Sequence, residues 1–253
     1  MIRVAAVGDI HFGTDSAGRL RPHLEQLKDR ADLLVIAGDV TTCGGRDEAK
    51  VLAAELRGAG VPVLAVLGNH DYHSGHETDV RRALEGAGVQ VLEGETAVVG
   101  VNGSRVGVAG VKGFGGGFAG ACGTEFGEPE MKAFIRHTRS VAERLEGSLV
   151  GLNADVKVAL LHYAPVKATL LGERLEIYPF LGSYLLAEAV DRGGADLVFH
   201  GHAHRGTEKG VTPGGVHVRN VAQPVIRQGY AVYEFEAASA DSGRARVAAS
   251  TSP

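Results

Sequence analysis

The feature that most limits the fold of this sequence is a series of short apolar runs that end in glycine or histidine. They are continuous rather than alternating, and they cover Val4–Val7, Leu33–Ala37, Val63–Leu67, Val158–Leu161 and Leu197–Phe199. Such runs are typical of strands buried on both faces. Helical patterns lie between several of them, at Leu20–Arg30, Asp47–Arg57, Glu130–Glu146 and Ser183–Arg192. Strands that alternate with helices predict an α/β fold with a largely parallel sheet.

Two segments interrupt this alternation with further short strands. Residues 90–111 contain turn signals at Glu93-Gly94 and at Asn102-Gly103, the second typical of a hairpin. Residues 211–236 contain a turn at Pro213–Gly215. The chain has 253 residues, of which 44% are hydrophobic, enough for one sizeable core. We therefore predict a single domain over residues 1–236 and a small, polar, frayed tail over 237–253.

Composition excludes several classes of function. The net charge is −4 and no Lys/Arg-rich run is present, which argues against a nucleic-acid partner. No apolar stretch approaches the ~20 residues that span a bilayer, so we expect no membrane partner. Cys43 and Cys122 are too few and too distant for a disulfide framework or a Cys-rich zinc site. Together with an N-terminus unlike a signal peptide, they favour a reduced, cytoplasmic location. Nothing in the sequence indicates the oligomeric state.

Polar residues gather where the predicted strands end. They occur as D-x-H after the first strand, G-D after the second, G-N-H-D after the third, a single His later, and G-H-x-H after the last. The residues are Asp9, His11, Asp39, Asn69, His70, Asp71, His162, His202 and His204. The carboxyl ends of parallel strands form the edge at which α/β sheets bind ligands. Asp, His and Asn that meet there are suited to transition-metal ions.

The number of potential ligands indicates two metal ions. Without His70 and Asp71, the set holds two carboxylates, four imidazoles and one amide: Asp9, Asp39, His11, His162, His202, His204 and Asn69. Seven groups are too many for one tetrahedral ion that keeps an open position. They suit two ions ~3.5–4 Å apart that share a bridging carboxylate.

Each motif taken alone has a plainer interpretation. Asp after Gly is a common turn residue, His162 alone could be a core histidine, and G-H-x-H could be a surface turn. Their joint occurrence at strand ends favours metal binding. The glycine-rich segment 113–127 fits either an active-site flap or an ordinary surface connection, and it lacks the Lys-Ser/Thr ending of a phosphate-binding loop.

The ordered set of motifs resembles that of the calcineurin-like metallophosphoesterases, and it spans residues 9–204. The resemblance implies a four-layer α/β/β/α sandwich of two mixed sheets flanked by helices. It implies that Asp9, His11 and His204 hold one metal, that Asn69, His162 and His202 hold the other, and that Asp39 bridges them. It implies that His70 faces the phosphate and assists the leaving group, with Asp71 orienting its ring. The nucleophile is then a metal-bridging hydroxide, and the metals are Mn²⁺, Fe²⁺/Fe³⁺ or Zn²⁺.

Differences within the family narrow the expected substrate. The Asp-Arg-Gly ending of its protein phosphatases is replaced here by Gly38-Asp39-Val40. The form of the motifs is similar to that of the bacterial class III cyclic-nucleotide phosphodiesterases and related phosphohydrolases. The family's repair nucleases carry a capping domain, and the ~50 residues after His204 are too few for one. We therefore expect hydrolysis of small phosphodiesters or phosphomonoesters, with a non-catalytic metal-binding scaffold or a nuclease as alternatives.

Several other polar residues near the motifs have open roles. Lys112, Lys167 and Arg205 could contact an anionic substrate, although loop cations are more often solvated. Tyr163 is expected to pack rather than stack on a base. Cys43 is expected to be a small buried residue and His200 a structural one.

Overall fold

Two six-stranded β-sheets pack face to face at the centre of the protein, for which a computed structural model describes residues 1–236 and the backbone of 246–247. The strands are β1 (Ile2–Val7), β2 (Leu33–Ala37), β3 (Val63–Val66), β4 (Val89–Val91), β5 (Thr96–Val101), β6 (Ser104–Val111), β7 (Gly117–Phe118), β8 (Ala121–Cys122), β9 (Val156–Leu161), β10 (Leu197–His200), β11 (Lys209–Val211), β12 (His217–Asn220), β13 (Ala231–Glu236) and β14 (Arg246–Val247). The first sheet has the order β14-β13-β1-β2-β3-β4. The second has the order β11-β12-β10-β9-β6-β5, and β7 pairs with β8 in a separate ribbon.

Helices cover the outer face of each sheet. The helices of the described residues are α1 (Arg21–Leu24), α2 (Leu27–Arg30), α3 (Arg46–Leu56), α4 (Glu77–Glu85), α5 (Pro129–Gly151), α6 (Tyr178–Leu181), α7 (Tyr184–Gly193) and α8 (Gln223–Ile226). Short 3-10 helices lie at Lys167–Leu170 and Leu175–Ile177. No helix in the described part of the chain is long and apolar enough to cross a membrane.

Three apolar cores hold these layers together. The inner faces of both sheets share one core, which includes Val4, Leu64 and Val158. Leu52 and Leu84 pack from α3 and α4 against the outer face of the first sheet. A third core joins the second sheet to α5 and α7. The predicted four-layer α/β/β/α sandwich is therefore confirmed, and central strands such as β2 and β3 are continuous apolar runs because both of their faces are buried.

Parallel pairing brings the polar strand ends to one edge. β1, β2 and β3 run parallel in the first sheet, as do β6, β9 and β10 in the second. Their carboxyl ends therefore lie side by side within each sheet. This topology puts Asp9, Asp39 and Asn69 after strands of the first sheet. His162, His202 and His204 follow strands of the second.

One expectation about local structure is wrong. The predicted helix over 20–30 is split into α1 and α2 because Gln26 leaves the helical conformation. The buried Glu55 carboxylate accepts the backbone N–H groups of Leu20 and Arg21, which fixes the start of α1 from another element. The chain bends at Glu93-Gly94, where it passes from β4 in the first sheet to β5 in the second. The Asn102-Gly103 turn does close the β5–β6 hairpin.

Within residues 237–253, the structure describes only the strand β14. Of the predicted frayed segment 237–253, all but β14 lies outside the described residues. β14 pairs antiparallel with the end of β13.

Candidate metal centre

Most of the predicted ligands meet in two clusters between the carboxyl edges of the sheets. One cluster contains Asp9, His11, Asp39 and His204, and the other contains Asp39, His162 and His202. Within each cluster, one potential ligand atom from every residue lies within 4.8 Å of the others. The structure thus brings together residues that are up to 195 positions apart in the chain.

Asp39 lies between the clusters and belongs to both. Its Oδ2 is 3.9 Å from His11 Nε2, and its Oδ1 is 3.4 Å from His162 Nε2. Its side chain is only 1% exposed. A carboxylate that turns one oxygen toward each of two imidazole-bearing clusters fits the bridging position of a dinuclear centre. The donor set of imidazoles, carboxylates and an amide oxygen fits transition-metal ions, including Mn²⁺, Fe and Zn²⁺.

The ligand-bearing loops have an uncommon backbone conformation. In the described part of the chain, six non-glycine residues have positive φ, and four of them are predicted ligands. Asp9, His11, Asp39 and His202 have φ between 41° and 69°. Such a conformation costs about 1–3 kcal/mol per residue and persists where the surrounding structure imposes it. Its concentration here indicates that the chain turns sharply after β1, β2 and β10 to direct side chains into the centre.

Two glycines leave room for the carboxylates. A Cβ on Gly68 would overlap the Asp39 carboxylate, and a Cβ on Gly201 would overlap that of Asp9. Both positions require glycine because the backbone approaches a ligand closely, not because of φ. Gly68 and Gly201 therefore belong to the structure of the site although neither offers a ligand atom.

The first cluster is organised around the buried Asp9 carboxylate. Its Oδ1 lies 2.8 Å from His204 Nε2, and both oxygens accept the backbone N–H of His202. Burial raises the pKa of Asp9, but the His204 hydrogen bond and the surrounding imidazoles outweigh burial and lower it. The same hydrogen bond raises the pKa of His204. Burial lowers the pKa of His11.

The second cluster is fixed by carbonyl groups behind the imidazoles. His162 Nδ1 donates to the Ala37 carbonyl at 3.0 Å, which directs Nε2 toward Asp39 and toward Asn69 Oδ1 at 2.9 Å. His202 Nε2 donates to the Phe180 carbonyl at 3.3 Å, which leaves Nδ1 as its ligand atom. Burial, followed by the nearby His162, lowers the pKa of His202 to about 3. His202 is therefore neutral, the form that binds metal.

His70 stands beside the centre but belongs to neither cluster. Its Nδ1 donates to the Thr42 carbonyl at 2.7 Å, and its Nε2 points back toward Asp39 Oδ2 at 3.9 Å. Its side chain is 44% exposed, whereas Asp39 is buried. Its ring meets that of His11 edge-on, with centroids 4.6 Å apart. This position leaves Nε2 facing the centre without a hydrogen bond to any described residue.

The prediction that Asp71 orients the His70 ring is wrong. The Asp71 carboxylate is fully buried and accepts the N–H groups of Val40, Thr41 and Gly68 together with the Thr41 hydroxyl. These groups saturate both oxygens, so the Thr42 carbonyl takes the orienting role. Burial raises the pKa of Asp71 to about 6, and the N–H of Gly68 opposes the shift. Asp71 thus ties the loop after β3 to the loop that carries Asp39.

Asp71→Asn is therefore expected to weaken the fold of these loops. The NH₂ group of Asn would take the place of one carboxylate oxygen and would face N–H donors. This mismatch costs about 1–3 kcal/mol of unfolding free energy. Urea unfolding measures this loss, and Thr41→Val, which removes one of the donors, should show a smaller one. Unchanged stability of Asp71→Asn would contradict this structural role.

Other predicted residues have assignable positions. His200 is fully buried, and both its ring nitrogens have partners, the Gly201 carbonyl and the Thr169 hydroxyl, as expected of a structural histidine. Tyr163 is 7% exposed and packs on His202 with ring centroids 4.4 Å apart. Cys43, expected to be buried, is exposed, because its loop is held through backbone atoms by Glu48 and Ser74.

The glycine-rich segment 113–127 is tied to its neighbours by hydrogen bonds. It forms the β7–β8 ribbon, with Gly116 N–H bonded to the Pro179 carbonyl and Gly117 N–H to the Gly182 carbonyl. Of its residues, Phe114 approaches the centre through contact with Tyr163. A cavity of about 570 Å³ borders the ribbon but includes no predicted ligand. The structure therefore supports an anchored connection over residues 116–117.

Sequence reasoning missed one contributor to the site and one buried carboxylate that acts electrostatically on Lys112. Thr42 acts through a carbonyl, which no side-chain pattern reveals. Glu93 follows β4 and has a buried oxygen, Oε1, without a hydrogen-bond partner among the described residues. Burial raises the pKa of Glu93 to about 7, and the charge of Lys112 opposes the shift.

Comparison with known proteins agrees with this geometry. The fold is similar to that of a phosphopantetheinyl hydrolase (PptH) from Mycobacterium tuberculosis, with 17% identity, a TM-score of 0.62, and 88% of this chain and 90% of that one covered. It is also similar to TT1561 of Thermus thermophilus, with 15% identity, a TM-score of 0.54 and 98% of both chains covered. No curated protein matches the sequence. The family model for calcineurin-like phosphoesterases matches residues 2–206, and the chain therefore belongs to the calcineurin-like phosphoesterase family.

Proposed function

We propose that this protein is a dinuclear-metal-dependent phosphoesterase that hydrolyses small phosphodiesters or phosphomonoesters. The observation that carries the proposal is the position of Asp39, whose oxygens face separate clusters while His70 stands beside them. Asp9, His11 and His204 would hold one ion, and Asn69, His162 and His202 the other. The name of the M. tuberculosis hydrolase supports a phosphoester as the substrate class.

The chemistry divides between the ions and the chain. Bound ions lower the pKa of water to near neutrality and neutralise the charge of phosphate oxygens. The imidazolium form of His70 supplies its Nε2 proton to the leaving oxygen as the bond from phosphorus to that oxygen breaks, and the ring is left as the neutral tautomer with its proton on Nδ1. The Thr42 carbonyl keeps the ring in place for this step, since it accepts the proton-bearing Nδ1. The exposed side of His70 is where the leaving group departs.

The absence of an Arg after Asp39 supports small substrates. Val40 occupies that position and is buried, with its N–H bonded to Asp71. A phosphoprotein phosphatase of this family would grip phosphate there with arginine. The segment after His204 forms β11–β13 of the central sheets, so its described residues do not form a cap.

Removal and return of metal test the function. We expect chelator-treated protein to lose hydrolysis of bis-p-nitrophenyl phosphate and of p-nitrophenyl phosphate, and Mn²⁺ to restore it, with Fe²⁺ and Zn²⁺ assayed in parallel. Full activity of the metal-free protein would contradict the proposal.

The same panel separates the alternative functions. Metal-loaded protein that hydrolyses no ester would indicate a non-catalytic scaffold. Much faster cleavage of duplex DNA or phosphoprotein than of every small ester would contradict the substrate class and, for DNA, indicate a nuclease.

A further inference from the structure

Lys112 extends from the end of β6 into the space between the two sheets. Val106 and Val108 of β6 pack in the core between the sheets. Lys112 lies an even number of residues beyond them, so its side chain leaves the same face of the sheet. His162 stands in the corresponding position after β9, and its backbone N–H donates to the Lys112 carbonyl at 3.0 Å. Successive side chains of a strand point to opposite faces. Lys112 and His162 therefore leave neighbouring strands on the same face and at the same edge.

Aromatic rings from both sheets surround the Lys112 ammonium. Its Nζ lies 4.7 Å from the ring centroid of Tyr72, 5.1 Å from that of Phe114 and 5.6 Å from that of Tyr163. Tyr72 is three residues beyond Asn69, and Tyr163 directly follows His162. The ring of Tyr163 in turn packs on His202. The ammonium is thus held beside the second metal cluster by residues that flank its ligands.

No direct ionic partner neutralises this ammonium. Within residues 1–236, Lys112 Nζ has no hydrogen bond and no ion pair, although it is half-buried. The carboxylates that act on it electrostatically are those of Glu93 and Asp39. In the proposed function, Asp39 is committed to the two ions. Aromatic faces stabilise a cation without occupying its N–H donors, so the ammonium can still bind an anion.

We propose that Lys112 is a substrate-binding residue that recognises the second negative charge of a phosphomonoester. The inference rests on the proposed function and narrows it to dianionic substrates. A phosphodiester carries one negative charge, which the two ions are sufficient to neutralise. A monoester carries a further charge, for which Lys112 provides a cation beside the second metal cluster.

Lys112→Met tests the proposal, because methionine keeps the aliphatic packing against the rings and removes the charge. We expect kcat/KM of the Mn²⁺-loaded protein for p-nitrophenyl phosphate to fall about 10- to 100-fold, mainly through KM. For methyl p-nitrophenyl phosphate, which has the same leaving group and one charge, kcat/KM should change less than about threefold. Lys112→Arg should restore much of the loss. Equal losses for both esters, or none, would overturn the proposal.

Phosphate binding provides a readout that does not depend on turnover. Calorimetry with orthophosphate and Mn²⁺-loaded protein should show an affinity about tenfold or more weaker in Lys112→Met, at unchanged metal content. If the unsubstituted protein hydrolyses neither ester, the proposed function fails while phosphate affinity still decides the role of Lys112. Equal phosphate affinity in both proteins would overturn that role. Lys28→Met, at an exposed lysine on α2, is the matched control, and Lys112→Gln replaces the Met variant if that variant does not fold.

Discussion

Replacing Asp39 with Asn is expected to abolish turnover while leaving the fold intact. Asn retains one oxygen, which can still accept the His70 backbone N–H that Asp39 Oδ1 accepts at 2.8 Å. In place of the other oxygen, which faces His11, Asn has an NH₂ group, and an NH₂ group cannot bind a cation. The bridge between the ions is then lost together with its charge. Loss of an outer-shell partner costs about 10–100-fold, so loss of the bridging ligand should exceed about 10³-fold.

Elemental analysis and thermal unfolding distinguish this effect from misfolding. The variant should hold at most one ion per chain at saturating metal, and its circular dichroism and melting temperature without metal should match those of the unsubstituted protein. Asp47→Asn is the matched control, because Asp47 is exposed on α3 and pairs with Lys50. Full activity of the unsubstituted protein with one ion per chain would contradict the dinuclear site.

His70→Ala is expected to retain both metals and to lose turnover according to the leaving group. His70 belongs to neither ligand cluster of the described residues, and its Thr42 hydrogen bond leaves Nε2 to act on the substrate. An alkoxide needs a proton to depart, whereas p-nitrophenolate is already stable as an anion. We therefore expect a loss of about 10²–10⁴-fold for an alkyl ester and a clearly smaller loss for the p-nitrophenyl ester.

The experiment also needs a measurement of the metal content of His70→Ala and a control variant at a neighbouring histidine. His73→Ala is the control, since His73 is exposed on the same loop three residues further along the chain. A metal content that falls by half in His70→Ala would show that His70 is a ligand. Equal losses for both esters with metal retained would show that His70 positions the substrate instead of protonating the leaving group.

The candidate ligands could be predicted from the sequence because each is encoded locally. A buried strand, a glycine and a polar residue follow one another in the chain, as in Gly38-Asp39 and Gly68-Asn69. Parallel strands end at the same edge, so a pattern repeated after each strand implies convergence. The same reasoning predicted the buried strands and the hairpin at Asn102-Gly103. It did not predict the break between α1 and α2, because Glu55 from α3 fixes the start of α1.

The roles of the residues around the ligands depended on contacts that a local pattern does not contain. Asp71 follows His70 in the chain, yet its carboxylate turns into the protein and binds the loop after β2, while a backbone carbonyl orients His70. Lys112 gains a position at the centre because β6 pairs with β9 in a register that sets it beside His162. The sequence by itself determined which polar residues meet at the centre, since strand ends and turns are short-range properties. The tertiary structure alone decided what holds and surrounds them, because burial and the choice of hydrogen-bond partner arise only when the two sheets pack together.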